Sequence, residues 1–196
     1  MSQVMDKIKV FEKELEYIRN PQVKLYATMA VESMPDYFFV IPASSTGKYH
    51  PNYALGQGGL VRHVKAGVML LLEMFRVGWY QDIPEDDKDL LITAFILHDG
   101  WKSGVHLQTY TVQDHPMIAV NELKSNASLK NLITEEQEDV ILSVISSHMG
   151  YWNFDKRSGK EFAPRPITEY QKLIHIVDYI ASRKMFEVNF DVTTER

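Results

Sequence analysis

Apolar residues return at steps of four and three through Val4, Ile8, Phe11, Leu15 and Ile18, which predicts an amphipathic helix over 4–20. Asn20-Pro21 then pairs a good N-cap with proline at the first helical position, so a second helix should run to about Ser33 or Met34, where Pro35 ends it. The helical period resumes through Val61, Val64, Val68, Leu71, Leu72 and Phe75, predicting a helix over 60–79. Pro84 with Glu85, Asp86 and Asp87 opens another with acids in its first turn; it continues through the apolar run 90–97 and ends at His98-Asp99. Asp114 is placed to cap a helix from His115 to about Leu123. Thr134-Gln137 and Thr168-Gln171 are capping-box pairs. The first heads the stripe Val140, Ile141, Val144, Ile145 and His148, stopped by Gly150; the second heads Leu173, Ile174, Val177, Ile180 and Ala181. The pattern is mostly helical.

Three stretches break it. Residues 36–59 have no helical period and carry Pro42, Gly47, Pro51, Gly56, Gly58 and Gly59, a length of irregular chain that is usually functional or disordered. The adjacent Gly58 and Gly59 would let the backbone turn sharply and approach a ligand closely, while His50 is either part of a site or an ordinary exposed loop residue. Residues 104–113, with Val105, Leu107, Tyr110, Thr111 and Val112, read as extended, either a short β-hairpin or a loop with β character. Residues 151–166 are polar and aromatic, either a lid or a surface loop. No repeat, low-complexity tract or linker divides the 196 residues, and a single domain over 1–196 is expected.

Composition narrows the chemistry. A 45% hydrophobic and 24% charged chain is an ordinary globular one. No apolar run approaches the roughly 20 residues needed to span a bilayer, and Met1-Ser2-Gln3-Val4 begins no signal-peptide pattern, so a cytoplasmic protein that leaves the membrane alone is expected. The absence of cysteine excludes disulfides and thiolate metal sites, leaving nitrogen and oxygen as ligands. A net charge of −5 argues against a sequence-independent nucleic-acid binder. Arg62, Lys65, Lys102 and Arg183 stand near the candidate ligands, either as a local basic patch or as solvated surface charges.

Those candidates are ligand-type side chains set among apolar residues. His98 and Asp99 end the run 90–97, His63 lies inside Leu60-Val61-Arg62-His63-Val64, His148 follows Val144-Ile145, and Asp178 sits inside Ile174–Ile180. His115 is at the first turn of its helix. Burying an imidazole or a carboxylate is unfavourable without a partner, and a metal ion is the simplest one. If the six converge they make a nest for one or two divalent ions, which can bind phosphoryl oxygens and activate water. Asp99 and His98 point about 100° apart on a helix, so Asp99 can bridge two ions while His98 binds one.

The order His63, then His98-Asp99, then Asp178 resembles the HD-domain superfamily of metal-dependent phosphohydrolases, over about residues 42–183. His98-Asp99-Gly100-Trp101-Lys102 fits the His-Asp-x-x-Lys form of subgroups that act on phosphodiesters. Gly58-Gly59-Leu60-x-x-His63, Asp114-His115-Pro116, Ser147-His148-x-Gly150 and His175-x-x-Asp178 are similar, more narrowly, to the HD domain of bacterial 3′→5′ exoribonucleases. The chain departs from these patterns at Ser147, where many two-metal members carry a histidine, and at Arg62, where the exoribonuclease type often has an acid. The resemblance implies an all-helical fold, with His63, His98, Asp99 and Asp178 as first-metal ligands and His115 and His148 as additional ones. It implies that Lys102 steadies the scissile phosphate or a leaving oxygen; if the substrate is a phosphate ester, Arg62, His50 and Arg183 are candidate further phosphate contacts on their own position and charge. Manganese, iron, cobalt, nickel, zinc and magnesium are all compatible with such ligands.

Three functions follow as expectations. The first is hydrolysis of a nucleotide or small phosphodiester, with Asp99 and Lys102 catalytic. The second is 3′→5′ exonuclease action on short single-stranded RNA or DNA, in which Tyr151, Trp152 and Phe154 would stack bases. The third is a non-catalytic regulatory protein that binds a nucleotide.

Overall fold

The computed structural model describes residues 6–155 and 157–184. Among them are seven α-helices: α1 (Lys7–Glu16), α2 (Pro21–Ser33), α3 (Gly59–Met74), α4 (Glu85–Leu97), α5 (His115–Ser125), α6 (Glu135–Ser147) and α7 (Glu169–Ala181). The described residues contain no strand, and the fold is all-α.

The caps form where the polar signals stand. The Asn20 side chain accepts from the N–H groups of Gln22 and Val23, and both Thr134-Gln137 and Thr168-Gln171 close reciprocal capping boxes. Asp114 differs. It occupies the N-cap position of α5, but with φ −90° and ψ 18° its backbone is not extended and its side chain makes no capping bond.

Helix α4 is the axis of the bundle. Its residues from Asp89 to Leu97 are all buried, and α2, α3, α6 and α7 pack around it, as expected of a helix apolar on every side. The one acid in that buried stretch is satisfied: Asp89 Oδ2 accepts from the backbone N–H of Arg19 (3.0 Å) and Asn20 (2.7 Å), tying the α1–α2 turn to α4. Phe11, Leu15 and Ile18 enter the core, whereas Ile8 remains partly exposed and Val4 lies outside the described residues.

Helix α3 stops at Met74, short of the expected residue 79, and a 3₁₀ turn follows at Gly78–Asp82. Beyond Phe75 the next apolar side chains, Val77 and Trp79, find no core to face and are 57% and 74% exposed.

Of the two readings of 104–113, the hairpin does not form and the segment is a loop of turns. Its backbone bonds fold back on the turn after α4, with Gln108 N–H donating to Ser103 (2.9 Å) and Val112 N–H to Lys102 (2.9 Å), while Val105, Leu107 and Tyr110 face solvent. Residues of high β propensity without a neighbouring strand have nothing to pair with. β pairing occurs instead inside 151–166, as an isolated antiparallel bridge between Phe154 and Glu161.

The Gly58-Gly59 pair also acts differently from expectation. Gly58 has φ +70°, and a Cβ on Gly59 would stand 2.2 Å from the carbonyl oxygen of Ala54. The close approach is to the chain itself, which seats the 40–55 loop against the start of α3 and so fixes where His63 begins its turn.

Candidate metal centre

Five helices or their ends bring the six predicted ligands to one place. His63 comes from α3, His98 and Asp99 from the end of α4, His115 from the start of α5, His148 from the end of α6, and Asp178 from α7. All but Asp178 are essentially removed from solvent, and the Asp178 side chain is 21% exposed.

Asp99 divides the cluster. Its Oδ2 lies 3.4 Å from His98 Nε2 and 3.9 Å from His63 Nε2, while its Oδ1 lies 3.1 Å from His115 Nε2 and 3.7 Å from His148 Nε2. Asp178 Oδ1 completes the first side, 3.0 Å from His63 Nε2 and 3.6 Å from His98 Nε2. Three ligand triads are close enough to hold an ion: His63-His98-Asp99, His98-His148-Asp178 and Asp99-His115-His148.

The imidazoles are oriented by the backbone. The Nδ1–H groups of His98, His115 and His148 donate to the carbonyls of Phe95 (2.6 Å), Val112 (2.8 Å) and Ile145 (2.7 Å), each three residues earlier. A carbonyl can only accept, so each Nδ1 carries a proton and each Nε2 faces the centre, where it can ligate an ion once it holds no proton of its own. His115 Nε2 and His148 Nε2 then face one another at 3.1 Å, two lone pairs that repel unless a proton or a cation lies between them. His63 Nε2, His98 Nε2 and Asp99 Oδ1 are buried without a well-directed hydrogen bond. Converging orphaned donors of nitrogen and oxygen type fit a divalent cation.

Charge follows the same geometry. Burial, which would raise a carboxyl, is overcome at Asp99 by Lys102 and His98 and at Asp178 by His63 and His98; both are held well below the usual carboxylate range. Burial would lower the His98 imidazole, but Asp99 and Asp178 outweigh it and raise His98 to about 10. Burial and the neighbouring His98 and His115 push His148 down to about 3.

The predicted phosphate contacts are placed unequally. Lys102 Nζ is 2.5 Å from Asp99 Oδ2 and also lines an open cavity of about 560 Å³. His50 packs edge-on against His63, ring centres 5.5 Å apart, and burial with the Lys102 charge lowers it to about 4. The Arg62 guanidinium donates to the carbonyls of Tyr53 and Leu55, holding the loop before α3. Arg183 lies over the rings of Tyr179, Tyr49 and Trp152.

Some residues that shape the site carry weaker signals. His175 Nδ1–H donates to the carbonyl of His148 (2.8 Å), fixing the turn that ends α6, and only its position three residues before Asp178 hints at this. Gly150 does more than stop the helix: it has φ +59°, and a Cβ there would stand 2.1 Å from His175 Cε1. Gly150→Ala should therefore lower stability by about 2 kcal/mol or more, read as a shift in the urea midpoint, and should loosen metal retention through His148. Tyr37 donates to the carbonyl of Gly104 (2.5 Å) and accepts from Ser103 N–H (3.3 Å), pinning the turn that carries Lys102.

No helix among the described residues is long and apolar enough to cross a membrane. Searches of curated proteins and of solved structures return no match. The family model of the HD domain, in contrast, matches residues 60–183, well over half of the chain and inclusive of all six converging side chains. This chain belongs to the HD-domain family.

Proposed function

We propose that the protein is a phosphohydrolase acting on a nucleotide or small phosphodiester at the His-Asp centre, with one or two divalent ions as cofactor. Its family is generally one of metal-dependent hydrolases. The observation that carries the reading is the position of Lys102, whose ammonium touches the buried Asp99 and at the same time lines the open cavity. A phosphate entering from that cavity meets a fixed positive charge at the edge of the ligand cluster.

A divalent ion bound by these ligands supplies Lewis acidity toward phosphoryl oxygens and a water of lowered pKa. The chain's own residues do the rest. Asp99 offers one carboxylate oxygen to each half of the cluster, so it can bridge two ions. His63, His98 and Asp178 would hold an ion on the side nearer Lys102, and His115 and His148 one on the other. The backbone carbonyls behind three of the imidazoles hold them in the ligating tautomer. Lys102 stabilises the negative charge that grows on the phosphoryl or leaving oxygen.

Lys102→Met should reduce kcat by about 10²–10³ while metal content stays unchanged, because the ammonium acts on the transition state and not as a ligand. The check is an activity screen over nucleoside mono-, di- and triphosphates, cyclic dinucleotides and short oligonucleotides, repeated with several divalent ions and paired with elemental analysis. Full activity of the variant, or no turnover with any metal, would overturn the reading.

A second reading is removal of nucleotides from the 3′ end of short single strands, as in the exoribonucleases that the motifs resemble. It is favoured by the exposed rings of Tyr151 and Trp152 beside the turn that follows His148. Stepwise shortening of a labelled oligonucleotide, faster than release of phosphate from mononucleotides, would select it.

A further inference from the structure

Beside the His-Asp centre, the C-terminal end of α7 carries an arginine whose charge has no evident structural use. The Arg183 guanidinium lies 4.1 Å from the ring centre of Tyr179, 5.2 Å from that of Tyr49 and 5.6 Å from that of Trp152. No carboxylate among the described residues is within ion-pairing distance of it, and its Nε is buried without a hydrogen-bond partner. A guanidinium packed near aromatic rings still has N–H groups that ring faces satisfy poorly, and a phosphate can take two of them at once.

The aromatic part is equally unspent. Trp152 and Tyr179 are near-parallel, at 11° with ring centres 5.6 Å apart, yet they are 45% and 40% exposed. Rings already aligned and half open to solvent offer a flat ligand a stacking surface with little further ordering cost.

This cluster adjoins the proposed ligands on three sides. Tyr179 follows Asp178, Tyr49 precedes the His50 that packs on His63, and the Trp152 ring centre is 6.1 Å from that of His175, which holds the His148 carbonyl. Resting on the phosphohydrolase reading above, we propose that Arg183, Trp152, Tyr179 and Tyr49 form a subsite for the non-reacting end of the substrate: a nucleobase stacked on the Trp152–Tyr179 pair with an adjacent phosphate on Arg183. Because that phosphate is not the one delivered to Lys102 and Asp99, the substrate class is a nucleotide carrying at least two phosphates, such as a nucleoside bisphosphate or a dinucleotide.

The test is calorimetric titration of the metal-free 196-residue chain with adenosine 5′-monophosphate, adenosine and ribose 5-phosphate. Repeating the titrations with Lys102→Met separates the two phosphate positions, because Lys102 faces Asp99 and not the Arg183 cluster: affinities unchanged in this variant report the subsite, and affinities lost in it would overturn the subsite. The nucleotide should bind at least tenfold more tightly than either fragment. Arg183→Met should weaken the nucleotide about tenfold and leave adenosine unchanged, Arg183→Lys should recover part of the loss, and Trp152→Leu should weaken nucleotide and nucleoside alike. Ribose 5-phosphate binding as tightly as the nucleotide, or Arg183→Met binding the nucleotide like the unaltered protein, would overturn the subsite. Failure of the phosphohydrolase reading is separately visible, as absence of metal-dependent turnover while these affinities persist.

Discussion

Asp99→Asn should empty the centre of metal and reduce hydrolysis by at least about 10³-fold, the largest loss expected from any single substitution in the chain. The reason is the division of labour between its two oxygens. Oδ2 faces His63, His98 and Lys102, and Oδ1 faces His115 and His148, so one amide replaces a ligand of both halves at once. An amide also removes the negative charge that holds His98 protonated and Lys102 in place, which leaves several cationic or lone-pair groups crowded in a buried volume. His115→Gln is the useful contrast, since it touches only the Oδ1 half and should lower metal content without abolishing it. Elemental analysis of both variants, purified without chelator, separates the cases. An Asp99→Asn protein that keeps its full metal content and activity would remove the bridging role from this carboxylate.

Five of the six candidate side chains stand out in the sequence because they interrupt or end an apolar run at helical spacing; His115 is marked only by its place at a helix start. His98-Asp99 at the end of 90–97 and Asp178 within 174–180 are anomalies that a buried helix tolerates only with a partner. Their convergence was not readable from spacing; it comes from the packing of α3, α6 and α7 around α4, a tertiary fact that only the family resemblance anticipated. What supports the ligands was hidden altogether. The carbonyls of Phe95, Val112 and Ile145 orient three imidazoles through main-chain atoms common to every residue, so no side chain marks them. Arg62 and Arg183 illustrate the same limit from the other direction. Both are basic residues near ligands, yet one donates to the carbonyls of its own loop and the other lies on an aromatic surface with donors to spare.

Loading the centre with a divalent ion should raise the melting temperature substantially, and by more at higher pH. In the metal-free protein His98 is raised from its ordinary 6.5 to about 10, so its contribution to stability is fully present below about 6.5 and is lost as pH climbs through 10. His148 runs the other way: lowered to about 3, it contributes above 6.5 and loses that contribution as pH falls toward 3. Asp99 and Asp178, held below their ordinary value, also contribute above the carboxylate range and weaken under strong acid. The metal-free protein should accordingly be most stable near pH 6–7 on these four groups, declining on both sides. An ion takes over the charge balance that the His98 proton provides, so binding at neutral pH releases that proton and tightens as pH rises from 6.5 toward 10. With free metal at about 1,000 times its dissociation constant the gain is about 4 kcal/mol, or roughly 8–16 °C for a chain of this size. Differential scanning calorimetry of chelator-treated and reloaded protein at pH 6, 7.5 and 9 measures the gap directly, and titrations in buffers of different ionisation enthalpy count the protons released. A gap that is constant across this range, with no proton released, would place the bound ion away from His98.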